Sequence, residues 1–290
     1  MLSRSEAHPL KTVLTIAGYD PSSGAGVTAD LMVFAAHGLF GTSCITALTV
    51  QSTLGVRSIH PVDAGIVAET LACLDDDLRP QGIKIGMVPD ELSIEKLVGY
   101  IGNVYGIDSG GDGAGRVPVV LDPVLRSTSG HDLIYERGIG ALRGDLLRLV
   151  SWITPNVSEL ALLAGKVVER AGDIPAACHV LQDMAQTKGR RAKLGVFAKG
   201  GHLDKPDDYL LTPDGEGHWL PGERVETQAG HGTGCALSSA FLCQLVLGQD
   251  TLTAATRAKA YVAGALRNSG RVGRGRGPIN HLWTIDKVIH

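Results

Sequence analysis

Residues 229–248, AGHGTGCALSSAFLCQLVLG, combine the groups that could hold an anion beside a proton acceptor. Gly230, Gly232 and Gly234 can present bare backbone amides, and Ala236, Ser238 and Ser239 open a helix with little side-chain bulk. Free N–H groups at a helix start attract anions, a phosphoryl group under transfer included. The stretch lacks the lysine of a GxxxxGK[ST] phosphate loop and is not a GxGxxG dinucleotide fingerprint. Cys235 would stand in the first helical turn, where the dipole lowers a thiol from about 8.5. That placement predicts a general base near neutral pH, with a small packed cysteine as the alternative. Covalent attack has no partner placed by the sequence, although His231 lies in the same loop.

The other chemistry-bearing residues follow short apolar runs. The segment DPSSGAGVTAD (residues 20–30) has two glycines and serines that could cradle a small ligand, with the Asp30 carboxylate offered to its hydroxyl or amino group. The segments LDPV and ITPNVSE put Asp122, Asn156 and Glu159 after two different runs. Oxygen donors converging there would suit Mg²⁺, which keeps waters and takes substrate phosphates. Lys199, in AKGGH, is expected near a nucleotide phosphate, and Gln51, closing ALTVQS, has the donors and acceptor to pair with a heteroaromatic edge.

Those runs must be strands. Residues 12–18, 42–50, 82–88, 117–124, 151–156 and 194–201 are apolar throughout, as in strands covered on both faces. Helical patterns at 27–38, 63–78, 89–103, 158–165, 174–189, 235–247 and 251–268 separate or follow them. The alternation predicts an α/β fold with a mostly parallel sheet and helices on both faces. An antiparallel hairpin is expected within 208–227, turning at 214–217, and residues 106–115 read as a Gly-rich insertion. Such sheets bind ligands beyond the carboxyl ends of their strands, where the polar residues above fall. No linker divides the chain, so one domain over 1–290 is expected, with 1–11 and about 282–290 as extensions.

Of 290 residues, 44% are hydrophobic, 20% charged and 38 are glycine, which describes a globular chain rich in tight turns. A net charge of −3 argues against nucleic-acid or membrane-surface partners, and only the tract RNSGRVGRGRG (267–277) is locally basic. Five cysteines without a CxxC pair, and no signal or spanning segment, predict a cytoplasmic protein with reduced thiols. Ten histidines without HxxxH or HExxH spacing argue against a zinc site.

Taken together, TIAGYDPSSGAGVTAD, ITALTVQS, KIGM, VVLDPV, ITPNVSE, KGGH, HGTGCALSSA and GRGRGPINH resemble, in order, the hydroxymethylpyrimidine/phosphomethylpyrimidine kinases of thiamine biosynthesis, within the ribokinase-like superfamily. The resemblance implies a cytoplasmic homodimer that uses ATP and Mg²⁺ to phosphorylate 4-amino-5-hydroxymethyl-2-methylpyrimidine and then its monophosphate. It implies Gln51 on the pyrimidine edge with Gly18, Asp30 and Met87 completing the pocket. Gly232, Thr233 and Gly234 would form the anion hole beside the base Cys235. Asp122 and Glu159 would serve Mg²⁺, and Asn156, Glu159 and Lys199 the nucleotide. Three departures stand out. The family's M-x-A-K-S-G reads LRSTSG here (125–130), with Arg126 as a replacement for the missing lysine. Tyr19 occupies a usually small position, and threonines are absent before His231 and after Cys235. A pyridoxal kinase of the same fold and a pyrimidine-binding protein without activity are the alternative readings.

Overall fold

The computed structural model describes residues 10–105, 117–127, 130–186, 193–201 and 205–285. In chain order the elements are β1 (Thr12–Tyr19), α1 (Gly26–Ala36), β2 (Phe40–Ser52), β3 (Gly55–Pro61), α2 (Ala64–Asp77), β4 (Ile83–Ile85) and α3 (Glu91–Tyr105). Then come β5 (Val119–Leu121), α4 (Glu136–Gly144), β6 (Trp152–Ile153), α5 (Val157–Ala164), α6 (Ile174–Met184) and β7 (Gly195–Ala198). The chain closes with β8 (Asp208–Leu211), β9 (Gly217–Leu220), β10 (Ala229–His231), α7 (Thr233–Val246), α8 (Thr251–Arg267) and β11 (Gly277–Pro278).

Nine strands make one sheet in the order β3-β2-β1-β4-β5-β6-β7-β8-β9, and β10 and β11 form a separate parallel pair. The run from β2 to β7 is parallel, while β3, β8 and β9 join antiparallel at the edges. Consecutive residues in the central strands divide between two cores. Leu14, Val119, Leu121 and Val196 face one core with α2 to α6, whereas Val13, Val120 and Phe197 face the other with α1, α7 and α8. Both faces being covered explains why these strands carry no polar alternation.

The expected α/β fold is present, and the expected hairpin is β8–β9. Strand β3 and helix α4 were not anticipated. The β3 sequence GVRSIHP is mostly half-buried or exposed at a sheet edge, so it carries no apolar run. Strands β4 and β5 are shorter than expected because Gly86–Val88 and Asp122–Val124 leave the ladder as loops. The Gly-rich stretch 106–115 lies outside the described residues.

One ion pair joins four elements. Asp30 of α1 and Lys84 of β4 meet at 2.8 Å with both side chains fully buried. The Asp30 oxygens also accept from Thr15 Oγ1 of β1 at 2.6 Å and from Ser239 Oγ of α7 at 2.7 Å. Burial works against the Lys84 charge, but the Asp30 carboxylate outweighs it and holds the ammonium above its ordinary value.

Replacing Lys84 by Met strands a buried carboxylate, which costs about 3–5 kcal/mol. Urea unfolding of Lys84→Met is expected to show a loss of that order, and the Asp30→Asn, Lys84→Met double variant is expected to recover much of it. Equal losses in both variants would remove the charge from the explanation.

Candidate active site

The chain visits β1, steps to β2 on one side, and returns to β4 on the other side of β1. This reversal opens a crevice beyond the carboxyl ends of β1 and β4, the usual place for a ligand in such sheets. A cleft of about 1380 Å³ lies there. Its wall includes Gly18, Gln51, Met87, Asp122, Asn156, Glu159, Lys199, Gly232, Thr233, Gly234 and Cys235. Eleven of the expected site residues thus share one cavity, although they come from seven separate segments of the chain.

Asp30 is the exception. It is not on the cavity wall, and Lys84, Thr15 and Ser239 occupy its oxygens. The expected ligand carboxylate is a structural counter-ion, and Lys84, which the sequence reading did not single out, is the member of the pair that reaches the cleft.

The anion loop is built on Gly232, whose φ of +88° makes it the left-handed N-cap of α7. A Cβ there would lie 1.8 Å from the Gly24 carbonyl oxygen, so only glycine permits this contact between the loop after β1 and the loop before α7. The first intrahelical bond runs from Ala236 N to Gly232 O at 2.9 Å. The amides of Thr233, Gly234 and Cys235 therefore have no helical acceptor, and all three residues line the cleft, an arrangement that suits an anion. Ser238 fixes the same turn, donating to the Gly234 carbonyl at 3.0 Å and accepting from Thr154 Oγ1 at 2.6 Å.

Cys235 departs from the expected low value. Burial pushes its thiol up to about 11, the Lys84 ammonium pulling the other way while Asp122 and Asp30 push it further. The dipole of α7 is thus overridden by desolvation, and the resting sulfur carries its proton. The Gly26 amide at the start of α1 donates to the sulfur.

Beside the loop, Lys199 Nζ lies 2.7 Å from Asp122 Oδ1. Burial opposes the charge on both, but each holds the other ionised: Asp122 stays below and Lys199 above its ordinary value. Glu159 closes a capping box on α5, its Oε2 accepting from Asn156 N at 2.8 Å while Asn156 Oδ1 accepts from Glu159 N at 2.9 Å. Burial lifts Glu159 to about 7, with Lys199 lowering and Asp122 raising it. No group of three or more His, Cys, Asp or Glu forms a metal cage among the described residues. Two neighbouring carboxylates with one cation between them nevertheless fit Mg²⁺, which binds through one or two carboxylates, waters and substrate phosphates.

On the opposite wall, the Met87 sulfur packs over Gly18 and Tyr19 ends β1 at the cavity. His231 Nε2 is 2.7 Å from Asp20 Oδ2 and 3.0 Å from Gln51 Nε2. Burial opposes the Asp20 charge, yet hydrogen bonds from His231 and Ser22 outweigh it and keep the carboxyl below its ordinary value. A carboxylate can only accept, so His231 spends its Nε2–H on Asp20 and has no lone pair there for Gln51. The Gln51 donors are consequently positioned but free for a ligand. His231 is thus engaged by Asp20, and no hydrogen bond joins it to Cys235. The Asp20–His231 pair spans 211 residues and had no local signal in the sequence. Arg126 is bound to Asp132 at 2.6 Å in solvent; Thr128, where the absent lysine would stand, and His202 lie outside the described residues.

Past Lys199 the cleft continues between residues 220–227 and α8, with Leu237, Ala260 and Ala263 on its apolar side. No helix among the described residues is long and apolar enough to cross a membrane.

A model of the family described as phosphomethylpyrimidine kinase matches residues 20–280. The hydroxymethylpyrimidine/phosphomethylpyrimidine kinase of Synechococcus elongatus is 37% identical over 276 residues, covering 94% of this chain and 97% of the relative. Among solved structures, phosphomethylpyrimidine kinase from Clostridium difficile 630 superposes with a TM-score of 0.73 at 30% identity, covering 88% of this chain and 99% of that one. Pyridoxal kinase from Staphylococcus aureus in complex with pyridoxal gives a TM-score of 0.79 at 26% identity, covering 95% and 94%.

Gly232→Ala tests the anion loop. The methyl must push Gly24 away, and a displacement near 1 Å at a reacting centre costs about 10²-fold. The variant is expected to lose at least that much kcat while keeping its circular dichroism spectrum; near wild-type turnover would show that the loop tolerates the shift.

Proposed function

The chain belongs to the phosphomethylpyrimidine kinase family, and on that premise we propose how its residues divide the work of a phosphotransferase. It phosphorylates 4-amino-5-hydroxymethyl-2-methylpyrimidine with ATP and then phosphorylates the monophosphate, in thiamine biosynthesis. The observation that carries the assignment of residues is their convergence: Gln51, Gly18 and Met87, the loop with Cys235, and Lys199, Asp122 and Glu159 all line one cleft.

In this reading Gln51 pairs with the pyrimidine edge while Gly18 and Met87 bracket the ring. The hydroxymethyl group then lies against Cys235. The backbone of Gly232, Thr233 and Gly234 receives the charge that develops on the transferring phosphoryl group, and Lys199 and Asn156 hold the nucleotide phosphates. Mg²⁺, held by Asp122 and Glu159 with the phosphates, would neutralise charge between the terminal groups. Cys235, as thiolate, accepts the hydroxyl proton as the new O–P bond forms and the bond from that phosphorus to ADP breaks, ADP leaving. A cytoplasmic homodimer completes the proposal, with light scattering as the check on assembly.

Pyridoxal is a second acceptor worth assay because the structure superposes so closely on a pyridoxal kinase. Gln51, which can face an aminopyrimidine edge, supports the pyrimidine as the preferred one.

Purified protein with MgATP is expected to convert both the alcohol and its monophosphate, followed by product chromatography; an absence of ATP turnover with either would overturn the reading. Cys235→Ala is expected to lower kcat on the alcohol by about 10² or more with little change in KM. Because the resting thiol sits at about 11, kcat/KM on the alcohol should climb with pH, roughly tenfold per unit through neutrality. Cys235→Asp, with a base already ionised, should flatten that profile. A flat wild-type profile would assign proton acceptance to another group.

A further inference from the structure

The cleft wall carries several cations, and most are already matched. Lys84 faces Asp30, Lys199 faces Asp122, Lys259 faces Asp208, Arg126 faces Asp132 and Arg267 faces Glu223. Arg276, also on that wall, has no acidic partner among the described residues and is exposed.

Its position is defined by the backbone. Arg276 immediately precedes β11, whose Gly277 pairs with Ala229, and its guanidinium lies over Gly230. A Cβ on Gly230 would come within 2.6 Å of that guanidinium, so the glycine is what lets Arg276 approach the anion loop. The strap leading to it packs on the β2–β3 turn: Gly273 and Gly275 both abut Thr53, and Gly275 N donates to Thr53 Oγ1 at 3.3 Å. Thr53 is two residues from Gln51, and Gly230 is next to His231, which touches Gln51. The guanidinium therefore belongs to the acceptor end of the cleft, across the anion loop from the Lys199–Asp122 pair.

The geometry points to Arg276 as the residue that recognises the phosphate of the monophosphate acceptor. This rests on the kinase reading above and adds what distinguishes its two steps. In the first, an alcohol must lose a proton, which demands a base. In the second, an oxygen of the monophosphate bonds to the terminal phosphorus of ATP, the bond from that phosphorus to ADP breaks, and diphosphate and ADP leave. A phosphate monoester has its second pKa near 6 and is already largely a dianion at neutral pH. That step needs no proton acceptor; it needs a cation to offset repulsion between two phosphate groups, and a planar guanidinium suits a phosphate.

The test compares kcat/KM for the monophosphate with kcat/KM for the alcohol in the full-length protein. In Arg276→Ala the ratio of monophosphate to alcohol is expected to fall about tenfold or more, and Arg276→Lys should recover part of it. Cys235→Ala should move the ratio the opposite way, because only the alcohol needs the thiolate. An unchanged ratio in Arg276→Ala, or a rise confined to KM for ATP, would overturn the proposal. So would a wild-type protein that uses the alcohol but not the monophosphate. A wild-type protein that uses neither would sink the kinase reading itself, and the role of Arg276 with it.

Discussion

The Asp30–Lys84 pair is the point to which the site is referred. It is wholly buried, and three donors on β1, β4 and α7 make four hydrogen bonds to the one carboxylate on α1. A buried pair of this kind adds little net stability over a hydrophobic equivalent, because desolvation offsets the attraction. Its contribution here is geometric. Only one relative position of α1, α7 and the sheet satisfies both carboxylate oxygens, and that position brings the Gly24 carbonyl onto Gly232 and the Gly26 amide onto the Cys235 sulfur. The ammonium of Lys84 also reaches the cleft, where it is the main charge opposing the rise in the thiol's proton affinity. The same contact that aligns the helices therefore tunes the Cys235 thiol.

Around that point the fold separates duties. The face covered by α2 to α6 is a dry core of branched aliphatics, whereas the opposite face is built from small residues of α7 and the aromatic group Trp152, Phe197 and Phe241. Small residues let α7 press close to the strands, so its N-terminus arrives at the strand exits rather than above them. Lys199, paired with Asp122, then lies against Gly234 at one end of the loop, and Arg276 lies against Gly230 at the other.

How much of this was readable beforehand depends on the range of the interaction. The strand exits carry their polar residues in plain sequence, because a parallel sheet buried on both faces makes every strand an apolar run with an abrupt end. Gly18, Gln51, Asp122, Asn156 and Lys199 were legible for that reason. The helix start at Gly232 was equally local, as was the Asn156–Glu159 capping box. Asp30 was misplaced because its partners lie at positions 15, 84 and 239, and no pattern near residue 30 reveals them. The Cys235 expectation failed in sign for a similar reason. The helix dipole is a local effect that sequence discloses, whereas desolvation depends on the depth of the surrounding fold and outweighs it. The Asp20–His231 contact, the β3 edge and the α4 helix were hidden by distance, by exposure and by weak patterning respectively.

The position of α7 in the chain has a bearing on biosynthesis. Ten of its fourteen residues are buried, and it covers the sheet face that α1 alone would leave largely bare. It also follows all nine strands of the described sheet in the chain, so a ribosome delivers the whole sheet before this face can close. Until then the nascent chain displays Val120, Trp152 and Phe197 to its surroundings and lacks the Gly232 loop that completes the cleft. Completion of the cleft and concealment of the sticky surface are thus one event that waits for α7, and a chain terminated before it would be prone to capture by chaperones or aggregates.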